Sequence, residues 1–91
     1  MSVRVWLSGS LRQASEGKAE AEVVAKDIAD CLDKLEIQFP SLKERLYDDK
    51  GELHRYIDIF VNRESVRSLQ GLATPLKDGD EVSILPAFAG A

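Results

Sequence analysis

Histidine, tryptophan, methionine and cysteine each occur once in the 91 residues, and proline three times. A lone cysteine, Cys31, excludes an internal disulfide framework and a cysteine-rich zinc site, and a single thiol fits a reducing cytosol. The lone histidine, His54, sits in a polar stretch between Leu53 and Arg55, with Glu52 nearby. Acid–base catalysis needs a second positioned group and a pocket, and neither is indicated, so His54 reads as a surface or loop-packing residue. No apolar run approaches the roughly 20 residues that span a membrane as a helix. The opening Met1-Ser2-Val3-Arg4-Val5-Trp6 lacks the basic and apolar regions of a signal peptide, so a cytoplasmic protein is expected. Basic charge is also short. Twelve Lys and Arg against 16 Asp and Glu leave a net charge of −4, which argues against a nucleic-acid partner.

What is present is an ordinary globular composition, 44% hydrophobic and 31% charged. Its length supports one compact core, and the expected organisation is a domain over 1–86 with a flexible tail over 87–91. Val3, Val5 and Leu7 alternate with Ser2, Arg4 and Trp6, the period-2 pattern of a half-buried strand that ends at Gly9 and Ser10. Lys18 to Val24 alternates more weakly and reads as a second, antiparallel strand. Ile28, Cys31, Leu32, Leu35 and Phe39 recur at helical spacing behind Asp27, an N-cap or first-turn acid. Asp30 adds negative charge where the helix dipole favours it, and Pro40 limits the helix. Ser41 to Leu46 reads as a short helical piece, and Tyr47 to His54 as a polar loop.

Strand character returns over Arg55 to Asn62, with Ile57, Ile59 and Val61 on one face and Tyr56, Asp58 and Phe60 on the other. A short strand is expected around Ser65-Val66-Arg67, then an irregular stretch from Gly71 to Leu76. Asp78-Gly79-Asp80 is a tight turn, and Glu81 to Leu85 is a last strand closed by Pro86. The order β-β-α-β-β-β with one main amphipathic helix predicts an α+β domain, a mixed four- to five-stranded sheet covered on one face. Parallel pairing of the first and last strands at the sheet centre is compatible with this pattern, which does not decide it.

Few residues offer chemistry. Cys31 lies on the apolar stripe, where a free cysteine behaves as a small hydrophobe. Asp78, Asp80 and Glu81 read as turn chemistry in preference to a metal site, and no glycine-rich phosphate loop is present. The unusual feature is the ending Ala87-Phe88-Ala89-Gly90-Ala91, small and uncharged apart from one phenylalanine. One reading is a frayed terminus. The other is a thin arm that enters a narrow channel in an enzyme, since backbone approaches closely where side chains are small.

Two stretches carry a resemblance: Gly71 to Gly90, with its Asp78-Gly79-Asp80 turn, final strand, Pro86 and small-residue tail, and Leu53 to Asn62. The chain resembles the MoaD/ThiS group of ubiquitin-like (β-grasp) sulfur carriers, and within it the CysO-type carriers of cysteine biosynthesis. The resemblance implies a carrier protein and not an enzyme. An E1-like adenylating enzyme using ATP and Mg²⁺ would activate the terminal carboxylate, and a sulfur donor would convert it to a thiocarboxylate. The acceptor would be a PLP-dependent cysteine synthase, with a zinc metalloprotease releasing the product, or the large subunit of molybdopterin synthase. ATP, Mg, PLP and Zn would belong to those partners and not to this chain. The sulfur-carrying end would be Gly90 and Ala91. The family ends in Gly-Gly, so Ala91 is a departure: it is tolerated, or trimmed to expose Gly90, or it marks a binding module that carries no sulfur.

The alternation also proposes a docking surface. Phe60 lies opposite Ile57, Ile59 and Val61, and Leu85 opposite Val82 and Ile84; with Pro86, Phe88 and Ala89 they form the expected partner contact. Tyr56 is expected to be covered by a loop.

Overall fold

A computed structural model of the chain describes residues 2–9 and 11–86. Within them the elements are β1 (Ser2–Leu7), α1 (Leu11–Ala14), β2 (Glu20–Val24), α2 (Ile28–Gln38), α3 (Leu42–Leu46), β3 (Ile57–Val61), β4 (Glu64–Ser65) and β5 (Glu81–Pro86). One five-stranded sheet runs in the order β2-β1-β5-β3-β4. Its two central strands, β1 and β5, are parallel, while β2 and β3 flank them antiparallel. The first and last strands therefore do meet at the centre.

Register explains why. Val5 lies beside Val82, which lies beside Val61; Leu7 lies beside Ile84, which lies beside Ile59. The inward residues of three strands thus form continuous apolar rows, all within the buried core. Ile28, Cys31, Leu32 and Leu35 of α2 complete that core, each with no exposed surface. The domain is two layers, with helices on one sheet face only.

Local chemistry sets the ends of α2. Asp27 is its N-cap and accepts from the Asp30 amide at 2.8 Å, while Asp30 Oδ2 accepts from the Lys26 amide at 3.0 Å. Phe39 is the C-cap, buried, with Pro40 following. The long return to β5 is pinned to the same helix start: Ile28 N–H donates to Thr74 O and Leu76 N–H to Lys26 O. Thr74 is buried, and its hydroxyl donates to Gly71 O at 2.7 Å while accepting from the Gln70 amide.

Several sequence expectations shift. The β1–β2 connection contains a helical turn, α1, that buries Leu11 and Ala14; its four residues are too few to show a period. The second strand starts at Glu20 and not Lys18, because Glu16 and Gly17 both take positive φ to complete the turn. β3 begins at Ile57, so Tyr56 lies in the turn before it. The short strand is Glu64–Ser65; Val66 and Arg67 leave the sheet in a 3₁₀ turn that buries Val66, with Ser65 Oγ accepting from the Arg67 amide. Gly71–Ala73 forms a second 3₁₀ turn. Pro86 closes β5 from inside, opposite Ile57, where its missing N–H ends the ladder.

The burial contrast along α2 gives a direct test. Leu32→Ala should lower stability by about 2–5 kcal/mol in urea unfolding. Ile37→Ala, at a side chain 79% exposed, should stay within about 0.5 kcal/mol of the parent.

Candidate functional site

The sheet has a second face on which no helix packs among the described residues. β1 contributes Arg4 and Trp6, β5 contributes Ser83 and Leu85, and β3 contributes Asp58 and Phe60, because strand side chains alternate. Trp6 lies beside Ser83, and Ser83 beside Phe60, so two aromatic rings flank a small residue across three strands. Their backbones are two strand spacings apart, about 10 Å. Leu85 is one pleat nearer the end of β5, paired with Asp58. Trp6 is 39% exposed; Phe60, Leu85 and Pro86 are half-buried. The result is an apolar strip that runs along the open face toward Pro86.

Hydrogen bonds hold the strip in place. Trp6 Nε1–H donates to Glu81 Oε1 at 2.9 Å, fixing the indole over the sheet. Asp58 pairs with Arg67 at 3.6 Å, and the same guanidinium donates to Arg55 O at 2.9 Å. At the far end of β5 the Asp78-Gly79-Asp80 turn is fully engaged. Asp78 Oδ1 accepts from the Ser2 amide, and Asp80 accepts from the Lys77 amide and from Asn62 Nδ2. Those carboxylates serve the turn, as the sequence indicated.

The sequence-predicted residues divide. Phe60 and Leu85 share the open face, whereas Pro86 falls by alternation on the other side, in register with the buried Ile57. Phe88, Ala89, Gly90 and Ala91 lie outside the described residues. Tyr56 is covered in part: His54 of the preceding loop stacks on its ring at 4.7 Å, and the residue stays 37% exposed. Trp6 was missed as a site residue, although its signal was available. A tryptophan on the polar side of an alternating strand is the exception to the pattern that located the strand.

The remaining reactive groups are unsuited to chemistry. Cys31 is fully buried, and burial, with a smaller contribution from the Asp30 charge, pushes its thiol from 9.0 to about 12. Burial likewise raises the Tyr47 phenol to about 12. A depression of about 620 Å³ between α2, α3 and the following loop carries Asp33, Glu36, Glu44, Asp48 and Asp49. Asp48 Oδ1 is occupied by the amides of Lys50 and Glu52, and no carboxylate cluster able to hold a metal occurs among the described residues. No described helix is long and apolar enough to cross a membrane.

A central parallel strand pair, one main helix on one sheet face and an open opposite face define a ubiquitin-like β-grasp protein. The ThiS family matches residues 5–90, and the chain belongs to that family. It is 39% identical over 92 residues to a sulfur carrier protein CysO of Mycobacterium tuberculosis, covering 99% of both chains. The fold superposes on a chain from the crystal structure of the Amycolatopsis orientalis BexX/CysO complex with a TM-score of 0.87, at 36% identity over 98% of this chain and 99% of that one. It also matches the small archaeal modifier protein 1 of Haloferax volcanii, TM-score 0.85, at 26% identity over 96% and 98% of the two chains.

The Cys31 environment predicts a pH dependence. Below about pH 9 the thiol is neutral in both states and costs nothing. Between pH 9 and 12 the unfolded chain ionises while the folded one does not, so the folded state binds more protons and stability falls as pH rises. Urea midpoints should decline across that window, and Cys31→Ala should flatten part of the decline. At pH 8 an aromatic disulfide reagent should label Cys31 only as fast as the protein opens.

Proposed function

We propose that this chain is a sulfur carrier whose own C-terminal acyl group is the reacting centre. The observation that carries the reading is the match to CysO-named carriers over 99% of both chains. In the proposed sequence a terminal carboxylate oxygen attacks the α-phosphorus of ATP on an E1-like enzyme, with Mg²⁺, and pyrophosphate leaves. The acyl adenylate is a strong electrophile because AMP leaves readily. A sulfide donor then adds to the carbonyl and expels AMP, leaving a thiocarboxylate with one oxygen exchanged for sulfur. The acceptor reading follows the CysO match: a PLP-dependent cysteine synthase, with a zinc metalloprotease freeing the product. ATP, Mg, PLP and Zn stay with those enzymes.

The open face supports the docking half of this reading. Phe60 and Leu85, with Trp6 beside them, offer a hydrophobic strip that leads toward Pro86 at the end of β5, so an enzyme seated there also meets the residues that follow. Phe88 and Ala89 extend that contact in the proposal, and Gly90 and Ala91 present the acyl group. Delivery to molybdopterin synthase uses the same activation and differs only in the acceptor. Ala91 favours one reading of another class, a ubiquitin-like module that binds partners and carries no sulfur, because a methyl group stands where the family has glycine.

Intact mass separates these readings. After incubation with the E1-like enzyme of the same organism, ATP and a sulfide donor, the chain, full-length or trimmed to Gly90, should gain about 16 Da. A chain lacking Gly90 and Ala91 should fold normally and gain nothing. An unchanged mass in the full chain would favour the binding module instead.

A further inference from the structure

A five-stranded sheet has two edges, and this one closes them differently. At one end β4 is two residues long, too short to offer a ladder to another strand. At the other lies β2, five residues long and paired on one side only among the described residues. Leu7 N–H donates to Ala19 O at 2.8 Å, so in this antiparallel register Ala21 and Val23 turn their backbone groups toward β1. The amides and carbonyls of Glu20, Glu22 and Val24 therefore point away from the sheet. The free edge ends there, because Lys26 N–H donates to Asp30 Oδ2 and Lys26 O accepts from the Leu76 amide.

Two of those three outward carbonyls are occupied, both by side chains of α2. Lys34 Nζ donates to Val24 O, and Gln38 Nε2 donates to Glu22 O at 3.2 Å. Asp30 holds the lysine in place, its Oδ2 lying 3.4 Å from Nζ. Lys34 and Gln38 are one helical turn apart, so a single stripe of α2 carries both donors. The surroundings would otherwise attract a strand. Val24 is 61% exposed and Ile37 79% exposed, and both line a depression of about 410 Å³ between β2 and α2.

A closed dimer would set β2 antiparallel to its own copy across a two-fold axis. Registers that place Glu20 or Glu22 opposite Glu20 or Glu22 bring carboxylates face to face, which opposes pairing. The remaining registers place Val24 opposite Glu22 or opposite itself, and both need the Val24 carbonyl that Lys34 holds. Charge closes one set of registers and α2 closes the other. We infer that Lys34 and Gln38 form an autoinhibitory cap on the β2 edge, which keeps a second copy of this chain from extending the sheet with its own β2. The cap acts on the folded body alone, whether or not the terminus carries sulfur.

Sedimentation equilibrium on the full chain tests the cap. The parent should stay monomeric, whereas Lys34→Ala/Gln38→Ala should dimerise, with a dissociation constant at least about tenfold below any seen for the parent. Each single variant keeps one donor and should fall between the two. Lys34→Arg keeps a charged donor and should remain monomeric. Amide hydrogen exchange locates the contact: in the dimer the Glu22 and Val24 amides should slow about tenfold, while Val23, already paired with β1, should not change. Should the double variant fail to fold, the single variants carry the same two readouts. A folded variant that stays monomeric, or a dimer in which the Glu22 and Val24 amides exchange as in the parent, would overturn the assignment. So would a parent chain that already dimerises through β2.

Discussion

The parallel pairing of β1 with β5 is the constraint on which the rest of this molecule depends. A parallel pair cannot be closed by a hairpin, so the chain between them must cross from one side of the pair to the other, leaving the sheet after β2 and re-entering it at β3. That excursion contains α2, whose apolar stripe has one sheet face available to it, and α3 with the long return segment fill in beside it. The return is held at both ends: Thr74 and Leu76 against the start of α2, and Asp78 to Asp80 against Ser2 and Arg4. Once β5 is fixed at the centre, its open-face residues are fixed between those of β1 and β3. Trp6, Ser83 and Phe60 meet because the central pair is in that register and no other.

The functional consequence is a division of labour between body and terminus. The body contributes rigidity and a surface, and holds its one thiol buried and protonated. Nothing in its described residues positions an acid–base pair. Group transfer in the proposed role takes place on a carbonyl that another protein activates, so this chain's contribution is to be recognised and to present its end. A flat sheet face next to the last strand is suited to that, because backbone hydrogen bonds fix the geometry more firmly than a loop would. Leu85 of the strip and the strand end are parts of one element, β5.

Much of this was legible in the sequence, for identifiable reasons. Strands at Val3–Leu7, Ile57–Val61 and Val82–Leu85 alternate apart from Trp6, Phe60 and Leu85, and the α2 stripe has a clear 3.6-residue period, so burial on one side fixed them. The Asp78-Gly79-Asp80 turn announced itself through its residue types. The α1 turn was invisible because four residues with two buried positions carry no period. The 3₁₀ turns at Val66 and Gly71 were read as strand or irregular chain because burial of Val66 overrides its strand propensity. Phe60 and Leu85 were found by alternation, and Trp6 was passed over because the same alternation labelled its side polar. β3 starts two residues later than the pattern from Arg55 suggests, which leaves Tyr56 in the preceding turn beside His54.

The central claim is that the acyl group at the chain's end, and no internal carboxylate, is what becomes activated. Trapping tests it most directly: the protein is incubated with the E1-like enzyme and ATP but no sulfur donor, quenched with hydroxylamine, and mapped by peptide mass spectrometry. The account predicts a hydroxamate on the last residue, Ala91 or a trimmed Gly90, and nowhere else. ATP cleavage with no adduct, or an adduct confined to internal Asp and Glu side chains, would contradict it.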